Sequence, residues 1–189
     1  MGRFVLYIIL VSSLLAGCAA KVKPVQEMKA PDWVKKGSGA FSKESGKVFY
    51  GVSSASKISD ISLLRATADN RARNEIAKIF EAYTASLMKD YMAATSAGAA
   101  GPDAAAGEQH VEQAIKTVAS VTLTGVEIVD HWQNPETGEY FSLARLDIET
   151  FKNNLAKMKE LNEKAREHIK QNADKLHDEL EKEEMKEGR

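Results

Sequence analysis

The stretch "ISLLRATADNRARNEIAKIFEAYTASLMKDY", Ile61 to Tyr91, decides the fold that the sequence predicts. Its apolar residues recur at steps of mostly three and four, the spacing that places side chains on one face of an α-helix. The row comprises Ile61, Leu64, Ala68, Ala72, Ile76, Ile79, Phe80, Tyr83, Leu87 and Tyr91. Two alanines in its first half would let that half lie close to a sheet. We therefore expect one long helix with a buried face, and ion pairs along Arg65, Asp69 and Arg73 on its solvent side.

The segments around this helix have the composition and period of β-strands. Lys47 to Ala55, "KVFYGVSSA", is rich in strand-forming residues, and Gly51 inside it indicates a bulge or a close backbone approach. Val121 to His131 and Tyr140 to Ile148 predict a β-hairpin. The turn between them is Asn134 to Gly138, where proline pre-sets φ and glycine accepts a positive φ. The expected fold is α+β, an antiparallel sheet covered by a helical layer.

The rest of the chain predicts a loop and two further helical segments. Thr95 to Gly107 is rich in alanine and glycine and predicts a flexible loop, and Glu108 to Ser120 resumes a helical pattern. The segment from Glu149 to the end predicts a long charged helix with a thin apolar stripe that includes Asn162. Two interpretations of this stripe stay open. The helix packs on its own domain for its first turns and then runs into solvent, or it forms a coiled-coil contact with a partner or a second copy.

The start of the chain has the layout of a secretory signal. Arg3 is basic, Phe4 to Leu15 is almost wholly apolar, and small residues follow. As a helix the apolar stretch would reach about 18 Å, less than the roughly 30 Å hydrocarbon core that a permanent span must cross. The next four residues, Leu15-Ala16-Gly17-Cys18, resemble the lipobox of bacterial lipoproteins. That resemblance implies cleavage between Gly17 and Cys18, with diacylglycerol on the cysteine sulfur and an N-acyl chain, typically palmitate, on its amine.

These features predict four parts of the chain. They are a lipoprotein signal peptide (1–17), a lipidated tether (18–30), an α+β domain (31–148) and a charged C-terminal helix (149–189). The mature chain would be held on a membrane by its lipids, without spanning it. Ala19 stands where the family's inner-membrane retention signal has aspartate, which favours the outer membrane, with the domain in the periplasm or at the cell surface.

The composition and the histidines give no sign of catalysis. The formal charge of -1 argues against nucleic acid as a partner. None of the four histidines stands in a metal-ligand spacing, and His168 and His177 are expected to be solvated. In the first hairpin strand, alternation separates His131 from Asp130 and sends Glu127 and Asp130 to opposite faces, which removes the simplest acid–base pair. The sequence therefore predicts no enzyme, no metal and no cofactor beyond the covalent lipid.

Three motifs carry a family resemblance. They are Pro31-Asp32-Trp33, the segment Ala68 to Ala77, and the hairpin from Gly125 through Asp130-His131-Trp132 to Tyr140. With the lipobox in front, the chain resembles the bacterial lipoprotein family named for its twenty-kilodalton Helicobacter prototype. The resemblance covers Pro31 to Ile148 and implies a helical layer on an antiparallel sheet, with no enzymatic residues to carry over. It also implies kinship with envelope and flagellar outer-membrane ring proteins. The Ala/Gly loop and the charged tail depart from the compact pattern.

The expected function is protein–protein contact at the envelope. We expect a structural or assembly role at the outer membrane, in flagellar or other envelope complexes, with the C-terminal helix reaching an envelope protein or a second copy. The alternative is a periplasmic ligand-binding module with a pocket between sheet and helices. The candidate ligand or partner contacts are Trp33, Arg71, His131, Trp132 and Tyr140.

Overall fold

The computed structural model describes residues 29–41, 47–96, 102–159 and 161–187. A three-stranded antiparallel sheet of order β1-β3-β2 lies against a layer of helices, which confirms the expected α+β fold. In chain order the elements are α1 (Asp32–Lys36), a 3-10 helix (Gly37–Phe41), β1 (Val48–Ala55), α2 (Ile61–Ser96), α3 (Pro102–Leu123), β2 (Glu127–Gln133), β3 (Tyr140–Asp147), α4 (Ile148–Lys157) and α5 (Glu163–Glu187). The predicted signal peptide, the lipidation site and the tether up to residue 28 lie outside the described residues.

The long helix α2 presents its predicted apolar row to the sheet. The row is buried from Leu64 to Leu87 except for the half-buried Ile79, while Ile61 at its start is 56% exposed. The closest approach is at Gly51 of β1, where a Cβ would lie 2.5 Å from the carbonyl oxygen of Ala72. The strand is regularly paired here, so Gly51 marks a close backbone approach and not a bulge.

An aromatic cluster fills the centre of the core. The rings of Phe49, Phe80, Tyr83 and Phe151 contact one another with centroid separations of 5.0–6.0 Å. The Tyr83 hydroxyl donates a hydrogen bond to the carbonyl oxygen of Ala173, so its polar atom is satisfied, and burial raises the pKa of this phenol. Since Phe151 and Ala173 lie beyond residue 148, the C-terminal segment contributes to the same buried cluster as the sheet.

The helix α3 is longer than the sequence indicated. It begins at Pro102, inside the segment that we expected to be a loop, because proline suits the first turn of a helix, where its missing N–H is not needed. It ends at Leu123, so the residues from Val121 to Leu123 are helical and the predicted strand begins only at Glu127. The proline and glycine content therefore made the predicted loop too long at its C-terminal end. The β-branched residues at the end of the helix made the predicted strand begin too early.

The hairpin turn between β2 and β3 follows its predicted chemistry. The side-chain oxygen of Asn134 accepts hydrogen bonds from the backbone N–H groups of Glu136 and Thr137. Gly138 takes a φ of +71° and donates its N–H to the Asn134 carbonyl.

The charged C-terminal segment forms two helices instead of the one expected. Asn162, which we placed in the apolar stripe, instead caps α5, because its side-chain oxygen accepts a hydrogen bond from the N–H of Ala165. The stripe of α5 packs on α2 and on the main core, with Ala165, Ile169 and Ala173 fully buried. The described apolar face of this helix is thus covered by its own domain.

The side chain of His177 is buried on that face, which corrects the expectation that it is solvated. Its residue is 5% exposed, and its ring lies edge-on to Phe49 with centroids 4.8 Å apart. Its Nε2 atom lies 3.2 Å from the carbonyl oxygen of Val48. The neighbouring carbonyl of Lys47 accepts a hydrogen bond from the N–H of Ile148, the residue after β3. Because carbonyls alternate in direction along a strand, the Val48 carbonyl points away from β3 and needs this donor. Burial lowers the pKa of the His177 imidazole.

Within the residues that the structure describes, no helix is both long enough and apolar enough to cross a bilayer. This finding concerns residues 29–41, 47–96, 102–159 and 161–187 and leaves the apolar stretch before Cys18 untested.

The close approach at Gly51 predicts a large penalty for any side chain there. We expect Gly51→Ala to lower the free energy of unfolding by about 1–3 kcal/mol, because the added Cβ must push helix α2 off the sheet. The matched control is Gly107→Ala in α3, where the added Cβ meets nothing within 4 Å. That change should raise the free energy of unfolding by up to about 1 kcal/mol. Urea titrations followed by circular dichroism measure both, and equal effects of the two variants would contradict the close approach.

Candidate functional site

The five candidate contact residues lie on both faces of the sheet. Two of them, His131 and Trp132, are neighbours on β2, and an irregularity in this strand decides which face each one takes. The cross-strand partners of Ile128 and Asp130 are Ala144 and Leu143, so Val129 is an extra residue that forms a β-bulge. The bulge restarts the alternation and places His131 and Ile128 on the helix-facing side. Asp130 and Trp132 then lie on the outer side, as the sequence predicted for these two residues.

The same bulge overturns one expectation. Glu127 pairs with Arg145 and Asp130 pairs with Leu143, and these two β3 residues share a face because they are two apart. Glu127 and Asp130 therefore lie on the same face and not on opposite faces. The Asp130 carboxylate is already engaged, since it accepts hydrogen bonds from the Trp33 indole and from the backbone N–H of His131.

On the helix-facing side, Asp69 joins α2 to both hairpin strands. One oxygen of its carboxylate lies 2.7 Å from His131 Nε2 and 2.7 Å from the hydroxyl oxygen of the fully buried Ser142. Its other oxygen lies 3.9 Å from Arg65. Asp69 therefore faces the sheet, not the solvent side that we expected. Arg73 also turns to the sheet and donates to the carbonyl oxygen of Val126.

The three residues Asp69, His131 and Ser142 do not form a nucleophilic triad. Such a triad needs the histidine between the serine and the carboxylate, so that the imidazole takes the hydroxyl proton. Here the serine donates directly to the carboxylate, and the same carboxylate oxygen lies against the histidine. The arrangement holds the helix on the hairpin and leaves no activated nucleophile within it.

Arg71 and Tyr140 lie near the hairpin turn. Arg71 donates to the carbonyl oxygen of Ser54 at 2.8 Å, and the Ser54 hydroxyl donates to the Glu139 carboxylate at 2.6 Å. The Tyr140 ring packs beside His131, with centroids 5.4 Å apart. Arg71 therefore ties α2 to the end of β1, and Tyr140 extends the Asp69 cluster toward the turn.

The two tryptophans lie on the outer face of the sheet. Trp33 of α1 is buried there and donates its indole N–H to Asp130 at 3.0 Å. Trp132 packs on Phe141, with centroids 5.6 Å apart, and its buried indole nitrogen has no hydrogen-bond partner in the described part of the chain. The five candidates therefore do not converge on one pocket between sheet and helices.

A concave apolar surface lies elsewhere, between α2 and α3. This groove has a volume of about 600 Å³. Its lining includes Phe80, Met88, Met92, Ile115 and Leu123, together with the charged residues Glu81, Lys89, Glu112 and Lys116. Sequence reasoning missed the groove. Two helical segments separated by a loop were predicted, but the gap between the two helices depends on their packing distance, which no spacing in the sequence records.

The Asp69 cluster predicts a marked dependence of stability on one carboxylate. We expect Asp69→Ala to lower the free energy of unfolding by at least about 2 kcal/mol, because buried Ser142 and half-buried His131 lose their shared acceptor. The matched control is Asp90→Ala. Asp90 pairs with His168 at 3.0 Å on the exposed surface, so its loss should cost only about 0–1 kcal/mol. Denaturant unfolding measures both, and equal costs would contradict the structural role of Asp69.

A comparison with models of known families identifies the domain. A family model described as LPP20 lipoprotein matches residues 31–147, which is more than half of the chain and runs from the residue before α1 to the end of β3. The comparison with curated proteins gives no match. The match contains both faces of the hairpin and the whole of α2, and it confirms the resemblance that the sequence motifs indicated. The chain belongs to the LPP20 lipoprotein family.

Proposed function

We propose that the chain is an outer-membrane lipoprotein, anchored through Cys18, whose domain acts by contact with other envelope proteins. The observation that carries the proposal is the order of parts. A lipobox-like sequence ends at Cys18, and a short tether separates it from the family domain at residues 31–147. Membership of the family supports an envelope lipoprotein. We infer the outer-membrane location and the contact role from the residues and from the surfaces that they form.

The anchor follows from the chemistry of the processed cysteine. A diacylglycerol on sulfur and an acyl chain on the amine give several chains, and at about 0.8 kcal/mol per buried methylene two or more chains hold stably. Ala19 after the cysteine favours sorting to the outer membrane. The tether, residues 18–30, then connects the lipids to α1. Trp33 of α1 is hydrogen-bonded to Asp130 on the outer face of the sheet.

A contact role is supported by the open edge of the sheet. Among the described residues β2 pairs with β3 alone, and Val129 at its bulge is 44% exposed. An edge strand offers unpaired backbone groups to an added strand, and Val129 adds apolar surface beside them. The apolar stripe of α5 is a weaker candidate than the sequence indicated, because its described residues up to His177 pack within the domain. We therefore assign the contact to the β2 edge, with flagellar or other envelope complexes as the setting.

A role without catalysis fits the site geometry. The clustered serine, histidine and aspartate use one carboxylate as a shared acceptor, and the Asp130 carboxylate is held by Trp33. The family is not a known enzyme family. These groups stabilise the hairpin and are engaged by their structural partners.

The groove between α2 and α3 favours a second candidate function. Its apolar lining and its volume of about 600 Å³ fall in the range of small-molecule sites. The alternative role is therefore a periplasmic module that binds an apolar ligand between two helices, at a place different from the pocket between sheet and helices that the sequence suggested.

The anchoring part is tested by Cys18→Ser in cells fed an alkyne fatty acid. We expect loss of the label and accumulation of the unprocessed precursor, because serine offers no thiol for diacylglycerol transfer. Ala20→Ser, two residues further along, is the matched control and should keep both label and processing. A Cys18→Ser chain that still takes up the label would overturn the anchor.

The contact part is tested by placing a photo-crosslinking amino acid at Val129 in intact cells. We expect a higher-mass adduct from this position and none from the control position Lys78, whose side chain is 70% exposed on α2. Monomer alone from both positions would contradict a contact at the β2 edge.

A thermal-shift screen of the purified chain with cell-wall fragments and small apolar metabolites tests the alternative function, because a stabilising compound would favour ligand binding.

A further inference from the structure

Three potential metal ligands lie together on α5, away from the surfaces described above. His177, Asp178 and Glu181 each offer one donor atom, and these atoms lie within 4.8 Å of one another. The histidine and the glutamate are four residues apart, which places them one above the other on the same helix face. The cluster faces the start of β1, where His177 reaches the Val48 carbonyl. The spacing is not a common zinc motif, so the sequence did not indicate it.

The position of His177 distinguishes this cluster from an ordinary group of surface acids. In the neutral imidazole, Nε2 must carry the proton in order to donate to the Val48 carbonyl, and Nδ1 then keeps its lone pair. Nδ1 is buried and has no hydrogen-bond partner among the described residues, and the residue is 5% exposed. This lone pair lies 4.0 Å from the carboxylate of Asp178. A buried acceptor without a donor is an unusual feature in a folded protein and points to a ligand.

We propose that His177 Nδ1 and the carboxylates of Asp178 and Glu181 bind a first-row divalent transition-metal ion, with Zn²⁺ as its representative. One imidazole nitrogen and two carboxylate oxygens suit such ions, and three protein ligands leave a position for water. At the usual metal–ligand distances, tetrahedral donors stand about 3.3 Å apart. The observed 4.0 Å between Nδ1 and the Asp178 oxygen closes to this value with a small side-chain rotation.

The histidine already has the support that metal ligands need. Ligating imidazoles usually donate their second N–H to a carbonyl or a carboxylate, which fixes the ring orientation. Here the Val48 carbonyl does this, and the edge-on contact with Phe49 holds the ring from the core side. All three ligands lie on α5, so bound metal would hold the imidazole in the orientation that reaches the Val48 carbonyl of β1.

The charge of Lys47 lowers the affinity of the site for a divalent ion. Its ammonium group forms an ion pair with Asp178, so the position beside this carboxylate already holds a positive charge. A divalent ion must displace that ammonium group and bind against its charge. We therefore expect a modest affinity in the natural chain and a tighter one when the lysine is removed.

The test uses the full chain as the cell produces it, purified in detergent without a histidine tag, stripped with a chelator and titrated with Zn²⁺ by calorimetry. We expect one saturable site per chain. His177→Gln keeps an N–H donor for Val48 but loses Nδ1, and it should weaken binding about tenfold or more. Lys47→Met should tighten binding several-fold. The matched control is His168→Gln, a second histidine on α5 paired with Asp90, which should leave the affinity within about twofold.

Folding of each variant is checked by circular dichroism. If His177→Gln does not fold, Glu181→Gln replaces it, because Glu181 lies at the partly exposed rim of the cluster and should weaken binding to a similar extent. The proposal is overturned if the natural chain shows no saturable binding of Zn²⁺ in the millimolar range. It is also overturned if His177→Gln and Glu181→Gln bind as well as the natural chain, or if Lys47→Met leaves the affinity unchanged. The experiment does not depend on the lipid anchor or on the β2 edge.

Discussion

The contact between Gly51 and the backbone of Ala72 sets the distance between helix and sheet, and most of the structure depends on it. A side chain at position 51 would meet the Ala72 carbonyl oxygen and Ile76 at less than 3 Å. Because the helix lies this close, the short carboxylate of Asp69 can reach Ser142 and His131 directly. The small residues come in the first half of the helix. The large rings of Phe80 and Tyr83 follow further along the helix, where they enter the core.

The elements that the sequence predicted well are those whose signal is local and periodic. The apolar row of α2 repeats over many turns, and the turn at Asn134 to Gly138 needs only its own residues, so both appear as expected. The features that it missed depend on partners distant in the chain. The bulge at Val129 shows only in the pairing with β3. The burial of His177 depends on Val48 and Phe49, more than a hundred residues earlier.

The candidate site was only partly predictable for the same reason. The types of residue were recognised, and alternation correctly separated His131 from its two neighbours on the strand. Their partners came from α1 and α2, which the sequence could not orient. Asp69 belongs to a run of charges that resembles a solvated helix face, and its role became visible only when the hairpin was in place. Asn162 likewise fits the helical period but begins a second helix.

The helix α5 runs back along α2, from the contact of His168 with Asp90 to that of His177 with Val48. It provides the acceptor for Tyr83 and the donor for the first carbonyl of β1, and it follows the other described elements in the chain. Without α5, the Tyr83 hydroxyl would lose its acceptor and the Val48 carbonyl its donor, although all three strands of the sheet would be present. These two contacts join residues that are 90 and 129 positions apart, so the core is complete only when the segment after the family domain has packed against the sheet.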